Sequence, residues 1–419
     1  MSYPREKLKN FIDVLSGFAF KSKDFTSAGV PVIKIKNVTP PTVTLDDLSY
    51  VSKEIAQAQN RFLLNYADVL IALTGSHINQ MASVVGRVAR VRHQTPSLLN
   101  QRVGKITVIN PDEMDLDYVY YYLSQDLIKI QLASKAGGAA NQANISPSDV
   151  KNLDIPFPNI DVQRRISGIL SAYDNLIENN QKQIKLLEEA ARRLYKEWFV
   201  DLRFPGYEDT PIVDGVPEGW KKCLLGDINC SLESGSRPKG GIDASLVDGV
   251  PSIGAENVIG LGCYNYSSEK FITKDFFSKM KRGKLCDKDI LIYKDGAYIG
   301  RTSLFQDGFP HLEAAVNEHV FLLHAADEHI QYYLFFTLYQ QEYYQKMQKL
   351  NKNAAQPGIN SKAMMSLPVL LPTEDILDGF DSFATPLMHK IFNLAKQNRR
   401  LELARDRLLP KLMSGEIEV

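Results

Sequence analysis

Leu187-Glu188-Glu189-Ala190-Ala191-Arg192-Arg193-Leu194-Tyr195 returns 214 positions later as Leu401-Glu402-Leu403-Ala404-Arg405-Asp406-Arg407-Leu408-Leu409. The same offset carries Leu153 to Leu367, Pro158 to Pro372 and Ile177 to Ile391. Further upstream the offset drifts. Gly29-Val30-Pro31-Val32-Ile33 matches Gly249-Val250-Pro251-Ser252-Ile253, and Asp68-Val69-Leu70-Ile71 matches Asp289-Ile290-Leu291-Ile292. Stacked solenoid arrays repeat every ~20–50 residues, so this longer period marks a large module used twice. Two like modules on one chain suit a target with two like halves.

Around the first nonapeptide, a run from about Asp161 to Asp201 has no proline and a single glycine, Gly168. Its apolar residues step in alternating fours and threes: Ile166, Leu170, Tyr173, Ile177, Ile184, Leu187, Ala191, Leu194 and Trp198, with Asn180 in the remaining slot. That spacing is a heptad seam. Phe204-Pro205-Gly206 ends it. A second helix beginning near Asp375 shows the same ladder: Phe380, Ala384, Leu387, Ile391, Leu394, Asn398, Leu401, Arg405, Leu408 and Leu412. Pro386 is expected to kink its early turns and Pro410 to disturb its last. Each seam is too apolar to face water, and each is the other's obvious partner. Antiparallel pairing would make a strut of about 60 Å, at about 1.5 Å per residue, with pseudo-two-fold symmetry. If paired residue numbers sum to 578, Asn180 faces Asn398, and two amides that would be costly alone satisfy each other. The same register pairs Ile184 with Leu394, Leu187 with Ile391, Leu170 with Leu408 and Ile166 with Leu412. It sets small against large at Ala191–Leu387 and Leu194–Ala384, and Tyr173 against Arg405 as a cation–π contact.

The rest of each repeat is mixed α/β. Strands are expected over Val30–Val38, Asp68–Leu73, Val84–Val91 and Val103–Ile109, an aromatic helix over Leu116–Ala133, and a loop at Gly137–Gln142. Ile155-Pro156-Phe157-Pro158 closes the module. The second copy runs from Gly219-Trp220 to Pro372, with its aromatic helix at Tyr332–Met347 and its polar loop at Asn351–Asn360. The expected organisation is therefore a first α/β domain at 1–160, a helix at 161–204, a second α/β domain at 205–373, and a second helix with the C-terminal tail at 374–419.

The 419 residues include 49 basic and 49 acidic side chains, with 44% hydrophobic and 23% charged residues, the proportions of an ordinary globular protein. Net charge gives no sign of nucleic acid, but local charge does. No acid occurs between Asp68 and Asp112, where Arg87, Arg90, Arg92, Arg102 and Lys105 lie, nor between Asp126 and Asp149, nor between Glu342 and Glu374. Positive segments of this kind can face phosphate while the remaining surface stays neutral; the alternative is a chance run on a solvated face. Cys223, Cys230, Cys263 and Cys286 lack zinc spacing and read as free thiols in a reducing compartment. His311, His319, His324 and His329 fit no ligand motif, so no metal or cofactor is expected. The polar start reads as no signal peptide and no apolar run is long enough to span a bilayer, which points to the cytoplasm.

Ile155-Pro156-Phe157-Pro158 followed by Gln163-Arg164-Arg165-Ile166 and the heptad helix resembles the first conserved region of type I restriction-modification specificity subunits. Arg405-Asp406-Arg407-Leu408-Leu409-Pro410-Lys411-Leu412-Met413-Ser414-Gly415-Glu416-Ile417 resembles that family's C-terminal signature. Pro217-Glu218-Gly219-Trp220 with Leu225-Gly226-Asp227-Ile228 is similar to the start of its target-recognition domains. Asp161-Val162-Gln163 and Thr373-Glu374-Asp375 depart from a more usual Glu-Gln pair. The resemblance spans the chain. It implies a reader of a bipartite double-stranded DNA sequence, one half per target-recognition domain, with a spacer set by the helices. It further implies two methyltransferase (modification) subunits as partners, restriction subunits in the full complex, and no membrane.

Base reading calls for amides, hydroxyls and arginines, whereas lysines and arginines on phosphate only set position. Three sets of loop residues fit. Thr74, Ser76, His77 and Asn79 are matched in the second repeat by Lys294, Tyr298 and Arg301. Asn100, Gln101 and Arg102 are matched by Asn317, Glu318 and His319. Asn141, Gln142, Asn144 and Ser146 are matched by Asn353, Gln356 and Asn360. Lys34, Lys36, Lys135, Arg237, Lys239 and Lys352 are candidate phosphate contacts. Plain turn chemistry is the competing explanation for each polar loop residue. The two sets differ, so two different half-sites are expected. No phosphate-binding loop, dinucleotide fingerprint, Gly-x-Ser-x-Gly or amino-methyltransferase element is present, so the chain reads as non-catalytic. The alternative from another class is a structural adaptor that binds protein subunits and no DNA.

Overall fold

The computed structural model describes residues 3–76, 85–137, 143–243, 245–296, 298–350 and 358–419. The chain divides into two compact units, Met1–Asn175 with Glu402–Val419, and Leu176–Leu401.

The first unit is built on the strand Val69–Ala72, all four residues of which are buried. It pairs antiparallel with Val103–Val108 and with Val88–Arg90. Alternation divides its side chains between two cores. Val69 and Ile71 pack with Tyr118, Val119 and Leu123, whereas Leu70 and Ala72 pack with Ile33, Val38 and Val91. A second sheet places Val30–Ile33 parallel to Ser97–Leu99. The unit closes where Arg5–Lys7 pairs antiparallel with Asp154–Pro156, and where the Leu8 amide donates to Leu153 O at 2.9 Å.

The second unit repeats this plan. Ile290–Tyr293 pairs antiparallel with Val320–Ala325 and Thr302–Leu304. Val250–Ile253 runs parallel to Ala315–Val316. Lys221–Leu224 pairs with Pro368–Leu371, and the Leu225 amide donates to Leu367 O at 2.8 Å. The closing carbonyls of Leu153 and Leu367 are repeat equivalents.

Each expected aromatic helix is in fact two helices. In the first unit these are Leu116–Ser124 and Asp126–Lys135; in the second, Gln331–Leu338 and Gln341–Lys349. A glutamine causes the same break in both. Gln125 and Gln340 adopt extended backbone, and their side-chain amides donate to the carbonyls of Tyr122 (3.1 Å) and Phe336 (3.2 Å). Helix ends leave such carbonyls without an intrahelical partner.

The first long helix spans Ile160–Tyr195 and continues as a π-turn over Lys196–Val200. The extra residue of that turn rotates Trp198 and Phe199 onto Phe380 and Tyr333, at ring-centroid distances of 4.8–6.1 Å. The second long helix runs unbroken over Glu374–Ser414, so neither Pro386 nor Pro410 ends it. Phe380, Ala384 and Met388 are buried around Pro386, as are Leu409, Leu412 and Met413 around Pro410, and packing holds the course that one lost donor would otherwise disturb.

Within the second unit the helical segments run antiparallel. Asn180 Nδ2 donates to Asn398 Oδ1 at 2.9 Å and to Gln397 Oε1 at 3.2 Å. Ile184, Leu187, Ala191 and Leu194 share one core with Ala384, Leu387, Ile391 and Leu394. Within the first unit Ile166 and Leu170 pack with Leu408, Leu409 and Leu412. Ile177 is buried, and Tyr173 and Leu401 are half-buried. Arg405 does not stack on Tyr173. Its guanidinium donates to Asp174 Oδ1 at 2.7 Å and to Asp406, and Asp174 also accepts from Tyr121 at 2.6 Å. A carboxylate one residue along the helix outcompetes a ring face for a charged donor. Among the described residues, no helix is long and apolar enough to cross a membrane.

Candidate nucleic-acid interface

Main-chain hydrogen bonds put the two modules in register. The Leu73 amide donates to Arg102 O at 3.0 Å, and the Lys294 amide donates to His319 O at 3.1 Å. Leu73 O accepts from Ile145 N at 3.0 Å, and Lys294 O from Ile359 N at 2.9 Å. Asn100 N donates to Ile33 O (3.1 Å), and Asn317 N to Ile253 O (3.0 Å). These bonds make Thr74 equivalent to Asp295, Arg102 to His319, Asn144 to Gly358, and Ser146 to Asn360. The bridge Thr74↔Asn144 has the counterpart Asp295↔Gly358. Sequence matching therefore placed Lys294 opposite the wrong residue: it is the counterpart of Leu73, and Asp295 was missed. The signal was present, because Gly75 and Gly296 stand at the same offset as Asp68 and Asp289.

In the first module Thr74, Arg102 and Asn144 form one cluster. Thr74 Oγ1 donates to Asn144 Oδ1 at 2.8 Å, and one Arg102 nitrogen reaches Asn144 Oδ1 at 3.3 Å and Thr74 Oγ1 at 3.5 Å. Thr74 is buried, whereas Gln101 and Arg102 are exposed and Asn100 and Ser76 half-buried. In the second module His319 donates from Nδ1 to Asp295 Oδ2 at 3.0 Å, and its Nε2 lies 3.4 Å from Glu318 Oε1. Arg237 pairs with the same Glu318 oxygen at 2.6 Å. Asn317 is buried and accepts from the His319 amide at 2.9 Å.

Other candidates are engaged locally. Ser146 and Asn360 cap short helices, accepting from Asp149 N at 3.2 Å and Ala363 N at 2.8 Å, so turn chemistry accounts for both. Lys34 donates to Ser49 at 2.8 Å and lies 4.1 Å from the Phe25 ring centroid. Burial first, and the Lys36 charge second, hold its ammonium below the usual lysine range. Lys36 is paired with Asp47, which that contact keeps below the usual carboxylate range. Lys294 lies over Phe321 at 4.9 Å. Arg301 stacks on exposed Tyr298 at 4.1 Å and reaches Val258 O at 3.4 Å. Lys135 and Lys239 are exposed. His77, Asn79, Asn141, Gln142, Lys352, Asn353 and Gln356 lie outside the described residues. Among the described residues no group of histidine, cysteine and carboxylate side chains is arranged to hold a metal ion, and the four cysteines are free.

Twin α/β modules with polar clusters at equivalent positions, each followed by a long helix, define a repeated specificity architecture. The chain belongs to the family of the type I restriction modification DNA specificity domain, whose pattern matches residues 5–189 and again 217–397. DNA target recognition is the role of that family, whose members are the non-catalytic components of their systems. The type I restriction enzyme MjaIX specificity subunit of Methanocaldococcus jannaschii is 26% identical over 99% of this chain and 93% of that protein. The HindI specificity subunit of Haemophilus influenzae is 22% identical over 65% of this chain and 71% of that protein. In fold, the chain is similar to the crystal structure of a type I restriction-modification S subunit from M. genitalium, with TM-score 0.57 and 18% identity, covering 99% of this chain and 96% of the other.

Proposed function

We propose that this chain reads a bipartite double-stranded DNA sequence on behalf of a type I restriction-modification complex. The α/β domains at 1–160 and 205–373 each take one half-site, and the helices at 161–204 and 374–419 set the spacer and dock two methyltransferase subunits. Restriction subunits join the full complex, and the setting is the cytoplasm. The observation that supports this most directly is one scaffold, repeated to the level of individual backbone hydrogen bonds, presenting different polar side chains at equivalent positions. Such a scaffold keeps the docking geometry constant while the base-contacting groups vary. The exposed lysines and arginines, with Lys135 and Lys239 among them, supply sequence-independent phosphate contacts.

The test is to assemble the chain with its methyltransferase subunits and map methylated positions on genomic DNA. A split motif with an unspecified spacer, absent when this chain is omitted, is the expected result. Binding to the protein subunits with no sequence-selective DNA retention would instead favour the adaptor function.

A further inference from the structure

The equivalent clusters have opposite hydrogen-bonding character. In the first module one guanidinium nitrogen of Arg102 is held by Asn144 and Thr74. Its other N–H groups have no partner among the described residues, and the side chain is exposed. In the second module the same backbone position carries His319, flanked by the carboxylates of Asp295 and Glu318. These two side chains are about one-third exposed, at 33% and 30%. A Cβ built on Gly358 would come within 2.5 Å of Asp295 Oδ1. The Asp295 carboxylate thus occupies the place where Asn144 puts its side chain in the first module. Gly358 is the residue that leaves room for it.

Two carboxylates on a surface that meets DNA cannot face phosphate without repulsion. They are compatible only with hydrogen-bond donors, and the donors exposed in the major groove are the amino groups of cytosine (N4) and adenine (N6). A guanidinium whose remaining N–H groups are unpartnered among the described residues has the opposite need, and the guanine O6/N7 pair meets it. We propose that Asp295 is the specificity-determining acceptor of the second module, reading an amino-bearing base, while Glu318, whose Oε1 is engaged by Arg237 and His319, adds negative potential beside it, and that Arg102 reads guanine in the first. His319 and Arg237 hold the carboxylates in place, and the Arg237 guanidinium offsets part of their charge. This assignment rests on the DNA-reading function proposed above.

The experiment uses the full chain assembled with its methyltransferase subunits. Wild type, Arg102→Gln and Asp295→Asn complexes select from a randomised duplex library, followed by sequencing of bound molecules. Assembly and low-salt binding to unselected duplex verify that each variant is folded; Arg102→Lys and Asp295→Ala replace any that is not. Arg102→Gln should relax one guanine position about 10- to 100-fold in one half-site and leave the other unchanged. Asp295→Asn should relax one cytosine or adenine position in the opposite half-site by a similar factor. An unaltered consensus for both variants, or loss in the same half-site, overturns the assignment. A wild-type complex that enriches no sequence at all would instead overturn the DNA-reading function.

Discussion

Exchanging Asn180 and Asn398 for leucine, singly and together, tests whether this amide pair specifies the helix register. The two side chains are 6% and 8% exposed, between buried Ile177, Ile184 and Leu394. Asn398 Oδ1 accepts from Asn180, but Asn180 Nδ2 can also turn to Gln397 Oε1 at 3.2 Å. Asn180→Leu therefore strands the Asn398 amide in an apolar seam, at a cost of about 1–3 kcal/mol. Asn398→Leu leaves Asn180 a remaining acceptor and costs less. Added leucine burial contributes equally in single and double backgrounds, so it cancels from the cycle. The double variant should be more stable than the two singles predict, by about 1–3 kcal/mol. The chain's two tryptophans, Trp198 and Trp220, both lie in the second unit with this pair, so fluorescence in urea follows the relevant transition. Additivity within about 0.5 kcal/mol, or a larger loss in Asn398→Leu than in Asn180→Leu, refutes the reasoning.

Arg405→Leu leaves Asp174, whose side chain is 11% exposed, beside Tyr121 without its cation, and should destabilise the first unit by on the order of 3 kcal/mol in denaturant. Restoration in Arg405→Leu/Asp174→Leu would mark the charge, rather than the packing, as the cause. Trp198→Ala empties an aromatic cluster with Phe199, Phe380 and Phe383, and an unfolding loss of about 3–5 kcal/mol is expected by calorimetry; a loss under about 1 kcal/mol would contradict that packing. Burial pushes the Asp289 carboxyl up to about 6, against the pull of the Cys286 amide and His324. Because the folded value lies above the unfolded one, the native state binds the extra proton between about pH 4 and 6. This group's contribution is therefore present at the acid end and lost as pH rises through 6. Asp289→Asn should remove that slope from the stability–pH curve, and an unchanged slope would place the titration elsewhere.

The long helices were legible because seam periodicity is local and is repeated at 214 residues. The first helix's π-turn at Lys196–Val200 and the breaks at Gln125 and Gln340 were not, since each depends on which carbonyls a nearby side chain or core residue captures. Of the loop residues, Arg102 and His319 stood out in the sequence by their polarity, whereas Asp295, which the fold sets at the position of Thr74, was not among the candidates. Ser146 and Asn360 cap short helices, and the sequence alone does not separate that role from base recognition because the two draw on the same residue types.

Periodicity and repetition by themselves determined that there are two α/β modules, each followed by a heptad helix, because hydrophobic spacing depends only on order along the chain. The chemistry opposed at equivalent positions was decided in three dimensions. Arg102 meets Thr74 and Asn144, and His319 meets Asp295, across 28, 42 and 24 residues of chain. Only the folded strands bring those side chains within hydrogen-bonding distance.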